Sequence, residues 1–193
     1  MSTAPKRPPA RDRILDTACE LFYTHGIHAV GVDRLIAESG VAKATLYKQF
    51  PSKDDVVAAY LRRMDDRWRR LLRSAALAAG DDPREQLFGL FVALERAARD
   101  ATLGCAFINA AAEYAPGSTP HTITADHKRS VREWVRGLAA EAGATDPGTL
   151  AFQLTVLIDG TLAATHVGQA DEAAAAAKRA ARALIDAACP APA

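Results

Sequence analysis

The chain has 193 residues, 49% of them hydrophobic and only 6% aromatic, which is enough for one compact body with a real core plus a small satellite domain. No secretory leader with an apolar stretch opens it and no run approaches the roughly 20 apolar residues of a membrane helix; three distant cysteines, Cys19, Cys105 and Cys189, suggest neither a zinc knuckle nor a disulfide framework, so a cytoplasmic protein with reduced thiols, no metal and no cofactor is expected. The net charge of +1 conceals an asymmetry: 14 Lys and Arg against 9 Asp and Glu through Arg73, a net +5, then 10 against 14, a net −4, which fits one face that meets phosphates and a body that does not.

Residues 1–10 are proline-rich and read as a disordered basic arm. A first helix runs from about Arg11 to Thr24, with Ile14, Leu15, Ala18, Leu21 and Phe22 at helical spacing and Gly26 as its stop. Residues 31–53, GVDRLIAESGVAKATLYKQFPSK, then read as two short helices joined by a glycine turn. Val32, Leu35 and Ile36 recur at helical spacing, Gly40 can take the left-handed conformation that ends a helix, and Leu46 and Phe50 repeat four apart before Pro51 stops the second helix. With Leu46 and Phe50 turned inward, Ala44, Thr45, Tyr47 and Lys48 face outward, which suits a helix offered to the DNA major groove.

Ser52 and Asp55 have the spacing of a capping box, so a long helix starts there and continues through Val57, Tyr60, Leu61, Met64, Trp68 and Leu72 to about Ala79. Its arginines, Arg62, Arg63, Arg67, Arg69, Arg70 and Arg73, read first as a solvated face paired with Asp65 and Asp66. Gly80 to Pro83 breaks the chain, and further helices are predicted over about 84–99, 105–114, 121–142, 148–168 and 171–188, followed by a tail over 190–193. No strand alternation or internal repeat interrupts them. The expectation is an all-α protein of about nine helices, with a three-helix helix-turn-helix domain over 11–55 and a second helical domain over 56–189.

The segment from Gly40 carries Val41, Ala42, Thr45, Leu46, Tyr47, Phe50, Ser52 and Lys53 in one register, and in this wording it resembles the TetR family of transcriptional regulators. The likeness covers roughly residues 11–60. It implies a DNA-binding domain followed by a ligand-binding and dimerisation domain, hence a homodimer that binds a palindromic double-stranded operator and releases it when a mostly hydrophobic small molecule binds.

Carried over residue by residue, the resemblance places Thr45 and Lys48 near base edges or phosphates, Tyr47 on a backbone phosphate and Lys53 as a phosphate clamp, with Lys43, Ala44 and Arg34 as further DNA-facing candidates. The simpler readings stay open: a packing tyrosine at Tyr47, a solvated lysine at Lys48. Family members often carry a hydroxyl residue where Val30 and Gly31 stand, and Ser where Ala42 stands, so two capping and phosphate contacts are missing. Arg34, or an arm of Lys6, Arg7, Arg11 and Arg13, is a candidate replacement; a solvated tail is the plainer account of the arm.

The family's inducer pocket maps onto an apolar and aromatic set, Trp68, Leu72, Phe88, Phe91, Phe107, Trp134 and Phe152, with polar handles at Asn109, Glu113, Tyr114 and His121. Cys105, after Gly104 at a helix start, is added as a thiol that helix dipoles would activate, against its ordinary reading as a small buried residue. For dimerisation, Leu154, Leu157, Ile158 and Leu184 supply bulk while Gly160, Ala163, Ala164 and Gly168 allow close helix approach. An enzyme would have to be built from Cys105, Glu113, His121, Asp126 and His127. These lack the spacing of a carboxylate metal site, a phosphate loop or a nucleophile elbow, so no catalytic residues are expected.

Overall fold

The computed structural model describes residues 8–100 and 103–190, and these residues are helical without strands. Nine α-helices follow in order: α1 Ala10–His25, α2 Val32–Ser39, α3 Lys43–Gln49, α4 Lys53–Ala78, α5 Pro83–Asp100, α6 Ala106–Glu113, α7 Thr119–Glu141, α8 Pro147–Ala164 and α9 Ala170–Ala188, with a 3-10 turn at Thr165–Val167 after α8. The expectations for Lys6 and Arg7 lie outside the described residues. The chain divides into two compact units, one formed by the chain through Met64 together with Asn109–Thr124, the other by Asp65–Ile108 with the chain from Ala125 onward. The division cuts through α4, α6 and α7, and the early part of α4 is buried, with Tyr60 against Phe22 of α1.

In the first unit, α2 and α3 both pack on α1. Ile14, Ala18, Leu21 and Phe22 of α1 are buried with Leu35, Leu46 and Phe50, and Val56, Val57, Tyr60 and Leu61 of α4 close this core. Phe22 and Tyr60 meet edge to face with ring centroids 5.6 Å apart. Local signals set the boundaries: Gly26 ends α1 at φ 85°, Gly40 ends α2 at φ 61°, and Ser52 and Asp55 cap α4 reciprocally, Ser52 N–H donating to Asp55 at 2.9 Å and Asp55 N–H to Ser52 Oγ at 3.1 Å.

In the second unit, α5, α8 and α9 pack together. Leu87, Leu90, Phe91 and Leu94 of α5 meet Leu150, Leu154 and Ile158 of α8 and the small Ala174, Ala177 and Ala181 of α9 as one buried set. A ladder of ion pairs fixes the antiparallel register of α5 and α9: Arg84 with Asp186 at 3.1 Å, Arg182 bidentate on Glu85, Lys178 on Glu95 at 2.6 Å and Arg99 on Asp171 at 2.8 Å. Surface pairs of this kind add little net stability because solvent screens them, so their role is alignment more than stability. Pro147–Val167 is, by length and composition, apolar enough to cross a membrane, with mean hydropathy 1.3. Gln153, Thr155 and Asp159 interrupt its apolar run. One side of this helix is buried in the second unit, through Leu150, Leu154, Ile158 and Leu162.

A polar network sits in the same unit. His127, only 4% exposed, directs Nδ1 at Asp65 at 2.6 Å and stacks flat on Phe107 with centroids 3.6 Å apart. Arg69 binds Asp65 at 2.7 Å and also Ser130. Burial raises the Asp65 carboxyl, but hydrogen bonds from Arg69 and His127 outweigh it and leave the group below its usual range. The contact with Asp65 favours an imidazolium, yet burial together with Lys128 and Arg69 prevails and holds His127 below the ordinary 6.5. At neutral pH the ring is thus a neutral imidazole whose Nδ1–H donates to the carboxylate. Both folded-state pKa values are depressed, so unfolding takes up protons on acidification and the stabilisation, complete above the unfolded values, is lost as pH falls through the folded ones. The melting temperature should therefore fall between pH 7 and pH 5, in the histidine window, and His127→Gln should flatten that segment. An unaltered slope in the variant would contradict this.

Candidate nucleic-acid interface

Helix α3 is seven residues long and its outward side is exposed. Ala42, Lys43, Ala44, Tyr47 and Lys48 are exposed and Thr45 is half-buried, while Leu46 is fully buried and anchors the helix. The only outward aromatic of this stretch is Tyr47, 42% exposed. Lys48 has no ion-pair partner among the described residues. Lys43 lies 3.7 Å from Asp33, both largely in solvent, an attraction too weak to hold the lysine back from a phosphate. Gly31 and Ala42 provide no side-chain cap for α2 or α3, so the missing hydroxyls leave the leading N–H groups of both helices without a side-chain acceptor.

Other expected contacts are arranged differently. Arg34 donates to Glu38 at 2.7 Å and approaches His25 Nε2 at 2.9 Å, so its charge is partly neutralised beside the turn before α2. Lys53 points its ammonium at the Ile27 carbonyl, 2.7 Å away. Burial draws it below the usual lysine value against the opposing pull of Glu113 and Asp54, and the group ties the start of α4 to the α1–α2 turn instead of standing free as a phosphate clamp. Arg11 and Arg13 are likewise part of α1 and not of a mobile arm. Arg11 donates to the Gln49 carbonyl at 2.9 Å and lies over the Phe50 ring; Arg13 donates to Ser39 and Gly40 carbonyls at 3.2 and 3.1 Å. Each guanidinium satisfies orphan carbonyls at the end of a short helix, where the helix dipole favours a cation.

Residues 109–124 bring in contacts no motif announced. Glu113 accepts hydrogen bonds from the Ile27 and His28 N–H groups at 2.8 and 2.6 Å. Tyr114 donates to Asp54 at 3.2 Å, and burial, then the Asp54 charge, push its phenol up to about 12. Both residues were expected as handles in a ligand pocket; here, with Asn109 and His121, they belong to the first unit.

Of the remaining pocket candidates, Leu72, Phe91, Cys105 and Phe107 are buried, and Trp68 and Trp134 are half-buried in the second unit. Two candidates are displaced from that set. Phe88 lies under the Arg182 guanidinium, 3.8 Å from its centroid, on the α5–α9 seam, and Phe152 is 54% exposed on the outer side of α8. Cys105 is 3.6 Å from Lys128 Nζ, which also binds Asp159. An open groove lined by Arg132, Arg136, Gly137, Asp146 and Gly148 contains none of the expected pocket residues. On the dimer side, Leu154 and Ile158 are buried within the unit and so are unavailable to a partner, whereas Leu157, Gly160, Ala163, Ala164, Gly168 and Leu184 keep exposed surface.

Residues 14–60 match the pattern described as bacterial regulatory proteins, tetR family. The crystal structure of SCO4454, a TetR-family transcriptional regulator from Streptomyces coelicolor, is 32% identical, with a TM-score of 0.88 over 94% of this chain and 96% of that one. The transcriptional repressor ComR of Escherichia coli is 27% identical over 125 residues, 64% of this chain and 60% of ComR. The transcriptional activator FasR of Mycolicibacterium smegmatis is 36% identical over 81 residues, 42% of this chain and 36% of FasR. The chain thus spans less than two thirds of the length of each of these two curated relatives. The near full-length likeness to SCO4454, at 32% identity, places the chain in the TetR family of transcriptional regulators.

Proposed function

We propose that the protein acts by binding and not by catalysis: as a homodimer it reads a palindromic operator with α3 and represses until a mostly hydrophobic ligand in the second helical unit releases it. The observation that carries this is the outward face of α3. Ala44 lets the backbone approach closely, and Thr45, Tyr47 and Lys48 stand where a groove would meet them, while Arg11, Arg13 and Lys53 are tied to backbone carbonyls. Lys48 offers a donor for base edges, and Tyr47 a hydroxyl for phosphate.

One short recognition helix covers too little DNA for selectivity, so two copies are needed at about one helical turn. The second unit has a face for the partner. Phe152, Val156, Gly160, Ala163 and Val167 fall on a single stripe of α8 and its 3-10 extension, with Phe152 at 54%, Val156 at 53% and Val167 at 70% exposed. Ala176, Ala183 and Ala187 continue a small-residue face on α9. Apolar bulk beside residues without bulk suits close helix packing between copies. The repressor assignment follows ComR; FasR, an activator, shows that the sign of regulation has to be measured. A panel of hydrophobic compounds that raises the melting temperature yet leaves operator affinity unchanged would remove the ligand-release part.

Fluorescence anisotropy on operator duplexes, titrated across salt, tests the reading head. Lys48→Ala should weaken operator binding by about 1–3 kcal/mol and narrow the gap to non-cognate DNA. Tyr47→Phe should weaken both by about 0.5–1.5 kcal/mol, as loss of a single hydrogen bond would. Unchanged binding in both variants rejects α3 as the reading element. For the dimer, the double substitution Phe152→Glu and Val156→Glu should give a monomer in sedimentation at micromolar concentration; a variant that stays dimeric places the interface elsewhere.

A further inference from the structure

The α1–α2 turn is held from both sides by groups that the DNA-reading face does not use. Glu113, the last residue of α6, puts one carboxylate oxygen on the Ile27 N–H at 2.8 Å and the other on the His28 N–H at 2.6 Å. Its side chain is only 24% exposed. Gly26 beside it takes φ 85°, a conformation that favours glycine. The carbonyl of Ile27 is taken by Lys53 at 2.7 Å, and the ammonium and carboxylate attract one another across the turn. Tyr114, next along, reaches Asp54 at 3.2 Å and lies 5.0 Å from the His28 ring. This turn leads directly into α2, which with α3 makes the reading head.

We infer that Glu113 is a positioning residue for DNA recognition: its carboxylate holds the α1–α2 turn so that α2 and α3 leave α1 at the angle a groove requires, and withdrawing it releases the head. The inference rests on the proposed DNA-reading function.

Electrostatics alone and positioning predict opposite signs. Glu113→Gln keeps the shape but removes one negative charge from a unit that meets phosphates, which by itself tightens DNA binding. A positioning role predicts the reverse. In the full chain, with an operator obtained by selection from genomic fragments, the variant should bind about tenfold more weakly, within the range usual for coupled sites. The salt slope should be unchanged, since the carboxylate touches no phosphate. The Ile27 and His28 amide protons should move upfield and exchange faster, while α5 and α9 amides keep their protection. Equal or tighter operator binding by the variant, or unmoved Ile27 and His28 signals, overturns the role. Weaker binding with loss of protection throughout the chain also overturns it, as plain destabilisation. Wild-type protein that binds no duplex overturns the proposed function itself and this role with it.

Discussion

Helices of eight and seven residues cannot stand alone in water, since isolated helices below about 12–15 residues are marginal even in favourable sequences. α2 and α3 are of these lengths, and most of the first unit is arranged around that constraint. Leu35 and Leu46, both fully buried, give each helix an apolar anchor on α1. Arg13 closes the end of α2 on its carbonyls and Arg11 closes the end of α3. Glu113 and Lys53 hold the turn that starts the pair. With its ends tied from elsewhere, α3 can leave its whole outward side to a ligand.

The same arrangement changes the meaning of the charge asymmetry. The net +5 through Arg73 suggests a broadly basic face, but a good part of it works inside the protein. Besides Arg11, Arg13 and Lys53, Arg63 pairs with Asp16 and Asp12, Arg69 with Asp65, and Arg34 with Glu38. What remains for phosphates near α3 is chiefly Lys48 and the loosely paired Lys43. So little free charge beside α3 fits the proposal that two copies act together.

The elements themselves were legible in the sequence because their signals are local. Gly26, Gly40 and the Ser52–Asp55 box stop and start helices within a few residues of where periodicity predicts, and most helix ends fall within a residue or two of expectation. α8 is the exception, ending at Ala164 with a 3-10 turn where the reading continued to Gly168. The site was legible only in part. Which face of α3 points outward follows from Leu46 and Phe50 four apart, but the uses of Lys53, Arg13 and Glu113 depend on partners 26 to 86 residues away, which no local pattern encodes. The dimer candidates show the same limit: Leu154 and Ile158 differ from Phe152 and Val156 only in which side of α8 meets α5 and α9, and periodicity gives two faces without naming the inner one.

A well-anchored head with little free charge and a helical unit with an exposed apolar stripe fit the proposed half of a symmetric reader. Footprinting on a duplex selected by the protein shows whether two copies engage one operator. Two copies protect two inverted half-sites whose centres lie about one DNA turn, or a multiple of it, apart. Protection of a single asymmetric half-site by a monomer would contradict it.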